Sequence, residues 1–542
     1  MLLVLLGPGV LLHALLSPRA RAVDLPLYAA AFWVVGFWWL RLLPGGWIGP
    51  VLALGAASFC AGLLLWQRAP DAASSLVWLA AALVFVLLDR GAPVAPGVDG
   101  AMHTAVARVL SDAQGHPAGF RPLWPVDSFH SYPVGQPALT ALLHDLGGLD
   151  WREAGLAGHA LAYALAIIGF AAAVSRWSRG SALGLAVGAA AVLAARAPLS
   201  FWTWGGAPNV LGIAFGVAGF SAGIDAVRGS GARSAAACGL FASASLLTHG
   251  VTAAAFAYAA IPLAAGAALR PALRAGSGWL LAAGALSLLL CAPYLASLHP
   301  AMPASGVEWV RAFLRESATL RVFPQMLHDV PLIAGVAALL SVLGSRPRRA
   351  VLPIALAAAL ALLVLNGRFA VLPASELLYP DRIAVLLLLP IAFLAHDALE
   401  GRPRIALLAA VALVVHASVL QARMLRTGRE HALATDLDLR LLVQAGALLP
   451  PGCAVVNNYG DAGQWIPALL GRPITFPQAN VLFFDLRERV HPCAAFRGEK
   501  RPYHVDTVPC PGAACASLAR AGAVELFRIV DPALTVEISP AR

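Results

Sequence analysis

The sequence predicts an α-helical polytopic membrane protein of about fourteen transmembrane helices, closed by a small extracytoplasmic α/β domain at the C-terminal end. Three observations predict this. The chain is 59% hydrophobic and 12% charged, a charged fraction about half that of a soluble domain. Apolar runs near the ~20 residues that cross a bilayer recur along most of its 542 residues. The cations, nearly all arginine with Lys500 the single lysine, collect in short breaks between those runs. That is the bias of cytoplasmic loops, so the net charge of +10 carries no implication of nucleic acid.

Four apolar runs come first, near 1–17, 25–42, 47–66 and 74–88. The first lacks the basic leader and small-residue cleavage site of a secretory signal and reads as a retained helix. Arg19, Arg21 and Arg68 place the first and third breaks in the cytoplasm, so the polar interval 89–155 faces outside. The same alternation puts Arg176 with Arg179, Asp225 with Arg228 and Arg233, Arg270 with Arg274, Arg346–Arg349, and Arg402 with Arg404 inside. Runs near 330–345, 350–366, 381–398 and 405–422 complete the membrane part, residues 1–422. Polar and aromatic residues gather on the outer side, at 89–155, 202–209, Thr248-His249, 296–329, 366–381 and the tail. An enzyme working at the outer surface requires such clustering, whereas a transporter needs polar groups near the bilayer midplane. The spans are nearly free of charge.

The tail, 423–542, reads as helix 436–449, strand 453–457, a glycine-containing turn 459–463, helix 464–470 and strand 474–476. A loop over 491–515 follows, then a helix and a strand ending at 524–530. Of seven cysteines, Cys60, Cys238 and Cys291 lie in apolar runs, while Cys453, Cys493, Cys510 and Cys515 lie in the tail, where disulfides are permitted with the pairing open.

The chemistry-bearing residues concentrate in the 89–155 interval. Apolar positions over Ala101–Leu110 predict a short amphipathic helix lying flat at the membrane surface. Asp99 opens it, either as an N-cap or as a reactive carboxylate, and His103 stands one turn on. Asp127, His130 and Tyr132 precede Pro133 on an ordered loop, either hydrogen-bonding it internally or facing a ligand. Trp202 and Trp204 fit an interfacial aromatic belt better than a sugar platform. Asn209 and His249 stand at outer span edges, as helix-end residues or as pocket donors. Glu376, Tyr379, Asp381 and Arg382 crowd the start of a span, where Arg382 either pairs with Asp381 or holds a phosphate by charge-assisted bonds. Asp461 lies in Gly460–Gly463, a turn before a helix that is either a plain loop or an anion cradle. No zinc spacing, Walker loop, dinucleotide fingerprint or nucleophile elbow occurs, and Asp99-x-x-x-His103 offers only two ligands to a divalent cation.

With Asp99 to His103 opening the first large outer loop and Tyr132-Pro133-Val134-Gly135 later in it, the chain resembles the GT-C superfamily of polytopic glycosyltransferases. Gly206–Asn209, Thr248-His249, Arg382 at a span start and Asn458–Trp465 in the tail are similar features. The resemblance implies a sugar donor linked to a polyprenyl phosphate and an active site at the outer face of the inner membrane. The acceptor would be a cell-envelope glycan, lipid or protein, and membrane lipids would surround the chain. Carried over, Asp99 is the catalytic base, Arg382 neutralises the lipid phosphate, and His103, Asp127, His130, Tyr132, Asn209, His249, Tyr379 and Asp461 bind substrate. A divalent cation is the one cofactor the family admits. One base and one phosphate-binding cation suit transfer from a good leaving group better than hydrolysis, which calls for a second carboxyl. The competing class is a non-catalytic lipid or glycan transporter, or an assembly subunit.

Overall fold

The computed structural model describes residues 2–17, 22–40, 42–43, 46–66, 71–114, 117, 119–121, 123–124, 133–298, 347–369, 371–373, 375, 378–477, 488–501, 504–505, 515–530 and 534–538. Asp127, His130, Tyr132 and Glu376, together with the expected span near 330–345, fall outside them.

The chain is a multi-pass bundle. Ten helical stretches among the described residues are long and apolar enough to cross a membrane, and Leu2–Leu16 and Ala182–Leu193 are shorter apolar helices. The helices are α1 (Leu2–Leu16), α2 (Leu25–Leu40), α3 (Ile48–Leu65), α4 (Ala72–Gly91), α5 (Gly97–Asp112), α6 (Gly135–Gly147), α7 (Trp151–Trp177) and α8 (Ala182–Leu193). They continue as α9 (Ala207–Asp225), α10 (Gly231–Thr248), α11 (Gly250–Ala268), α12 (Arg274–Leu290), α13 (Ala292–Ser297), α14 (Pro347–Phe369), α15 (Pro380–Ala384), α16 (Leu388–Leu399) and α17 (Pro403–His431). Local chemistry sets several boundaries. Asp150 and Glu153 form a reciprocal capping box at the start of α7, and Asp71 accepts the Ala73 and Ser74 amides at the start of α4. The longest apolar stretch, Ala207–Thr248, folds back at Ala226–Ser230, so that α9 and α10 pack against each other.

Helices α2, α7, α9, α10 and α16 form the buried centre. Helices α3, α4, α12, α14 and α17 present leucine, isoleucine and valine outward, and α11 presents Ile261, the composition of a lipid-facing surface. The basic breaks meet at one end of the bundle. There Asp24 takes the Arg176 guanidinium and lies 2.8 Å from His13 Nδ1, Arg228 sits over the Trp177 ring, and Arg349 pairs with Glu400 at 2.7 Å.

At the other end stands the C-terminal domain. Helix α18 (Asp436–Leu448) begins on a Thr435/Asp438 capping box, and α19 (Ile466–Leu470) follows a 3-10 turn at Ala462–Trp465. Four strands lie in the order β1 (Val455–Asn457), β3 (Ala494–Arg497), β5 (Val524–Ile529), β4 (Cys515–Ala521), with β1 parallel to β3 and the other pairs antiparallel. A separate antiparallel pair joins β2 (Glu488–Val490) to β6 (Val536–Ile538). The α/β class therefore holds, with three differences from the sequence reading. The segment expected as a second late helix is strand β4, part of the expected 491–515 loop is the central strand β3, and the expected strand at 474–476 is a single bridge from Ile474 to Val455. Cys453 and Cys493 form a disulfide whose cysteines flank β1 and β3.

Helix α5 joins the two parts. It is not a surface-lying amphipathic helix: most of its residues are buried, against α6 and α7 on one flank and against the 462–470 segment on another. Arg108 fastens the second contact, donating to the Ala468 carbonyl at 2.9 Å. The polar face that would meet water in isolation is covered by a domain arriving some 360 residues later.

Candidate active site

The start of α5 is fixed by backbone meeting backbone. Gly97 and Gly205 both have positive φ, 72° and 89°. A Cβ on Gly97 would lie 2.2 Å from the Trp204 carbonyl carbon, and one on Gly205 would lie 2.3 Å from the Gly100 nitrogen. No side chain fits in either place. The first turn of α5 is therefore pressed against the turn that ends the 3-10 segment Leu199–Trp204.

Pro96 occupies the N-cap position, so Asp99 is not the cap; it lies inside the first turn, half-buried, with its carbonyl carbon beside Gly205. His103, one turn on, is buried, with its ring 6.2 Å from that of His159. Burial, then His159, then Arg382 hold the His103 imidazole well below its usual range, so it is neutral at physiological pH.

Arg382 reaches this place from the start of α15. Its guanidinium carbon is 4.5 Å from the centre of the Tyr379 ring and 5.4 Å from that of Trp204. Its Nη1 donates to His249 Nε2 at 3.0 Å, which assigns the His249 proton to Nδ1. Burial and the guanidinium keep His249 uncharged, well below the ordinary histidine range. The expected alternative, an Asp381–Arg382 pair, does not form: Asp381 is exposed, and among the described residues Arg382 has no carboxylate partner. Arg382 Nε and His249 Nδ1 are buried without partners. Two aromatic faces compensate the cation in part. Arg382 is half-buried, and its buried Nε has no protein partner, so an anionic ligand would supply the acceptor it lacks.

Asn209, in the first turn of α9, is 1% exposed with neither amide atom hydrogen-bonded. Such a group is costly to bury and calls for a polar ligand or water. Tyr379 caps α15, and burial raises its phenol above the usual range, so it remains a neutral donor. Trp202 is fully buried, with its ring 5.8 Å from Tyr163, and so is no belt residue; Trp204 faces Arg382.

Asp461 stands apart from this group. Its carboxylate accepts the Gly463 amide at 2.8 Å, the Gly498 amide at 2.9 Å and the Asn458 side chain at 3.1 Å. Amides that a phosphate would need are thus filled by the turn's own side chain. Burial outweighs those bonds and raises Asp461 to about 6. For a cation, Asp99 and His103 supply two ligands one turn apart, and among the described residues no group of three His, Cys, Asp or Glu is assembled.

The structure thus brings Asp99, His103, His249, Tyr379 and Arg382 to one place at the end of the bundle that carries the C-terminal domain. Sequence reading missed the Trp204 face under Arg382 and the buried His159 beside His103. No local signal marked either one, because both contacts join separate helices.

A helical bundle that carries a small α/β domain at one end, with Arg382 and the half-buried Asp99 at that end, has counterparts among solved structures. The resemblance read from the motifs holds at the level of the fold. ArnT from Cupriavidus metallidurans, solved bound to undecaprenyl phosphate, aligns with a TM-score of 0.54 and 16% identity over 84% of this chain and 97% of that one. Its apo structure aligns with a TM-score of 0.53 and 14% identity, with the same coverage. The archaeal oligosaccharyltransferase AglB from Archaeoglobus fulgidus, in complex with an inhibitory peptide and a dolichol-phosphate, aligns at 0.48 and 13% identity over 74% of this chain and 64% of that one. No family model matches the sequence, and no curated protein matches it.

Proposed function

We propose that the protein transfers a sugar from a polyprenyl-phosphate-linked donor to a cell-envelope glycan, lipid or protein at the outer face of the inner membrane, by an inverting single displacement. The observation that carries this reading is Arg382, a half-buried cation whose Nε is unpartnered and which pairs with no carboxylate among the described residues, beside the turn that holds Asp99. That undecaprenyl phosphate is the bound lipid in the ArnT structure supports a lipid phosphate as the anion.

In this reading Arg382 binds the phosphate oxygens of the donor, and its aromatic and histidine neighbours hold the guanidinium in place. Asp99 removes the proton of the acceptor hydroxyl as its oxygen attacks the anomeric carbon. The bond from that carbon to the phosphate oxygen breaks, and the polyprenyl phosphate leaves as an anion stabilised by Arg382. His103 and His249 are neutral and add no positive charge, so Arg382 is the cation that meets the donor phosphate while the Asp99 carboxylate faces the acceptor. Asn209, Tyr379 and, outside the described residues, Asp127, His130 and Tyr132 would bind sugar or acceptor hydroxyls.

The test is incubation of the purified protein and a folded Asp99→Asn variant with radiolabelled polyprenyl-phosphate sugars and membrane-derived acceptors. Transfer by the wild type, reduced at least about a hundredfold in the variant, is expected. Transfer surviving the substitution would remove Asp99 from the mechanism. No transfer from any donor, with labelled lipid moved across vesicles instead, would favour a transporter. Repeating the assay with a chelator reads whether Asp99 and His103 work through a divalent cation.

A further inference from the structure

At the end of the bundle opposite Arg382, two open cavities share Arg179 as a common wall. One, about 470 Å³, lies between the end of α7, the turn after α9, the start of α14 and the end of α16. Its rim carries three guanidiniums, Arg179, Arg228 and Arg349, against one carboxylate, Glu400. Arg179 is exposed and has no ion pair among the described residues. Arg228 rests over Trp177 at 4.4 Å and reaches the Trp177 carbonyl only at 3.5 Å. Arg349 pairs with Glu400, but both side chains are well exposed, at 56% and 38%, so water screens the bond and a ligand can replace it.

The floor of the same cavity is polar and unsatisfied. His396 and Asp397 are 1% and 7% exposed. His396 Nδ1 lies 3.1 Å from Asp397 Oδ1, and Trp177 Nε1 donates to that same oxygen at 3.2 Å. His396 Nε2 and Asp397 Oδ2 have no partner, although buried groups of this kind almost always have one. Leu273 and Leu352 supply an apolar wall. Three guanidiniums at the rim, an unpartnered donor-acceptor pair below and an aliphatic side match an amphiphile whose head carries a phosphate and hydroxyl groups.

We propose that this cavity binds the headgroup of an anionic phospholipid. The phosphate lies among Arg179, Arg228 and Arg349, the headgroup hydroxyls meet Asp397 and His396, and the glycerol and acyl carbons follow Leu273 and Leu352. A lipid fits better than a soluble phosphate because the cavity opens at the ends of spans, at headgroup depth, and has an apolar wall. The inference stands on residues at the far end from Arg382 and does not depend on the transfer reaction.

The test is native mass spectrometry of the full-length chain in detergent after incubation with phosphatidylglycerol or phosphatidylcholine, for the wild type, an Arg179→Gln/Arg349→Gln variant and an Arg270→Gln/Arg274→Gln control. The last removes the same charge at the same end, outside the cavity. Phosphatidylglycerol should be retained roughly tenfold better than phosphatidylcholine by the wild type and the control, with the preference lost in the cavity variant. Equal retention of the two lipids by the wild type, or an equal loss in variant and control, would overturn the proposal. Displacement of phosphatidylglycerol by glycerol phosphate at the same concentration would also overturn it, assigning the cavity to a soluble phosphate.

Discussion

Arg382 shows how much one side chain can say when its environment is complete. An arginine on a membrane protein is ordinarily exposed, paired with a carboxylate or snorkelling to the headgroups. This one is held by two aromatic faces and a neutral imidazole, with its Nε unpartnered. Arg382→Lys keeps the charge but loses the planar fork and the ring stacking. It is expected to lower donor turnover by roughly 10- to 100-fold, corresponding to about 1.5–3 kcal/mol of charge-assisted bonding. Arg382→Ala should lower it further. Both are read as kcat and KM for the lipid-linked donor with folding checked by thermal melting, and wild-type turnover by Arg382→Lys would remove the phosphate contact from the account. The sequence marked Arg382, His249, Asp99 and His103, because polar residues at span edges are conspicuous against an apolar background. It left Arg382 either paired with Asp381 or free to hold a phosphate, and gave no sign of its contact with His249. Asp381 is adjacent in the chain yet points away, while His249 arrives from a different helix hairpin.

Among the elements, α5 and the turn around Asp461 diverge most from what their own residues suggest. The pattern over Ala101–Leu110 reads as amphipathic because half of it is polar or small, and periodicity carries no information on whether a second domain covers that half. Likewise Gly460–Gly463 has the composition of an anion cradle, and its occupant is its own aspartate, bonded to Gly498 far along the chain. Asp461 also carries a pH signature. Its folded value of about 6 lies above the ordinary aspartate value of 3.8, so the folded state holds the proton more tightly than the unfolded one. Stability of the C-terminal domain therefore falls as pH rises from about 4 to about 6, with a slope of up to about 1.4 kcal/mol per unit, and is level above that window. Proteolytic resistance of the domain within the full-length protein, followed from pH 4 to 7, is expected to fall across this window and to be flat in Asp461→Asn. A wild-type profile without the fall would refute it. Strands β3 and β4 escaped the sequence reading for a related reason. Ala494–Arg497 and Cys515–Ala521 contain alanine and arginine where strands favour β-branched residues, and pairing with β5 overrides that local preference.

For the molecule as a whole, the alternation of arginine breaks was the most informative pattern. The structure gathers Asp24, Arg176, Arg228 and Arg349 at one end and sets α5, Arg382 and the C-terminal domain at the other. In the proposed orientation the basic end faces the cytoplasm, as the charge bias would have it. Single cysteines introduced at exposed Arg402 and Pro451 test this in intact cells. A membrane-impermeant maleimide is expected to label Pro451→Cys and to leave Arg402→Cys unlabelled until the cells are opened, and the reverse pattern would invert the orientation.

The grip of Arg108 on Ala468 bears on how the protein comes into being. Helix α5 leaves the ribosome early, whereas the segment that covers its flank is made some 360 residues later. Through most of synthesis the carboxylate-bearing turn is present without its cover, and Arg382 has yet to be translated. A polypeptide that stops before residue 382 therefore lacks the guanidinium, and one that stops before residue 468 leaves the flank of α5 open.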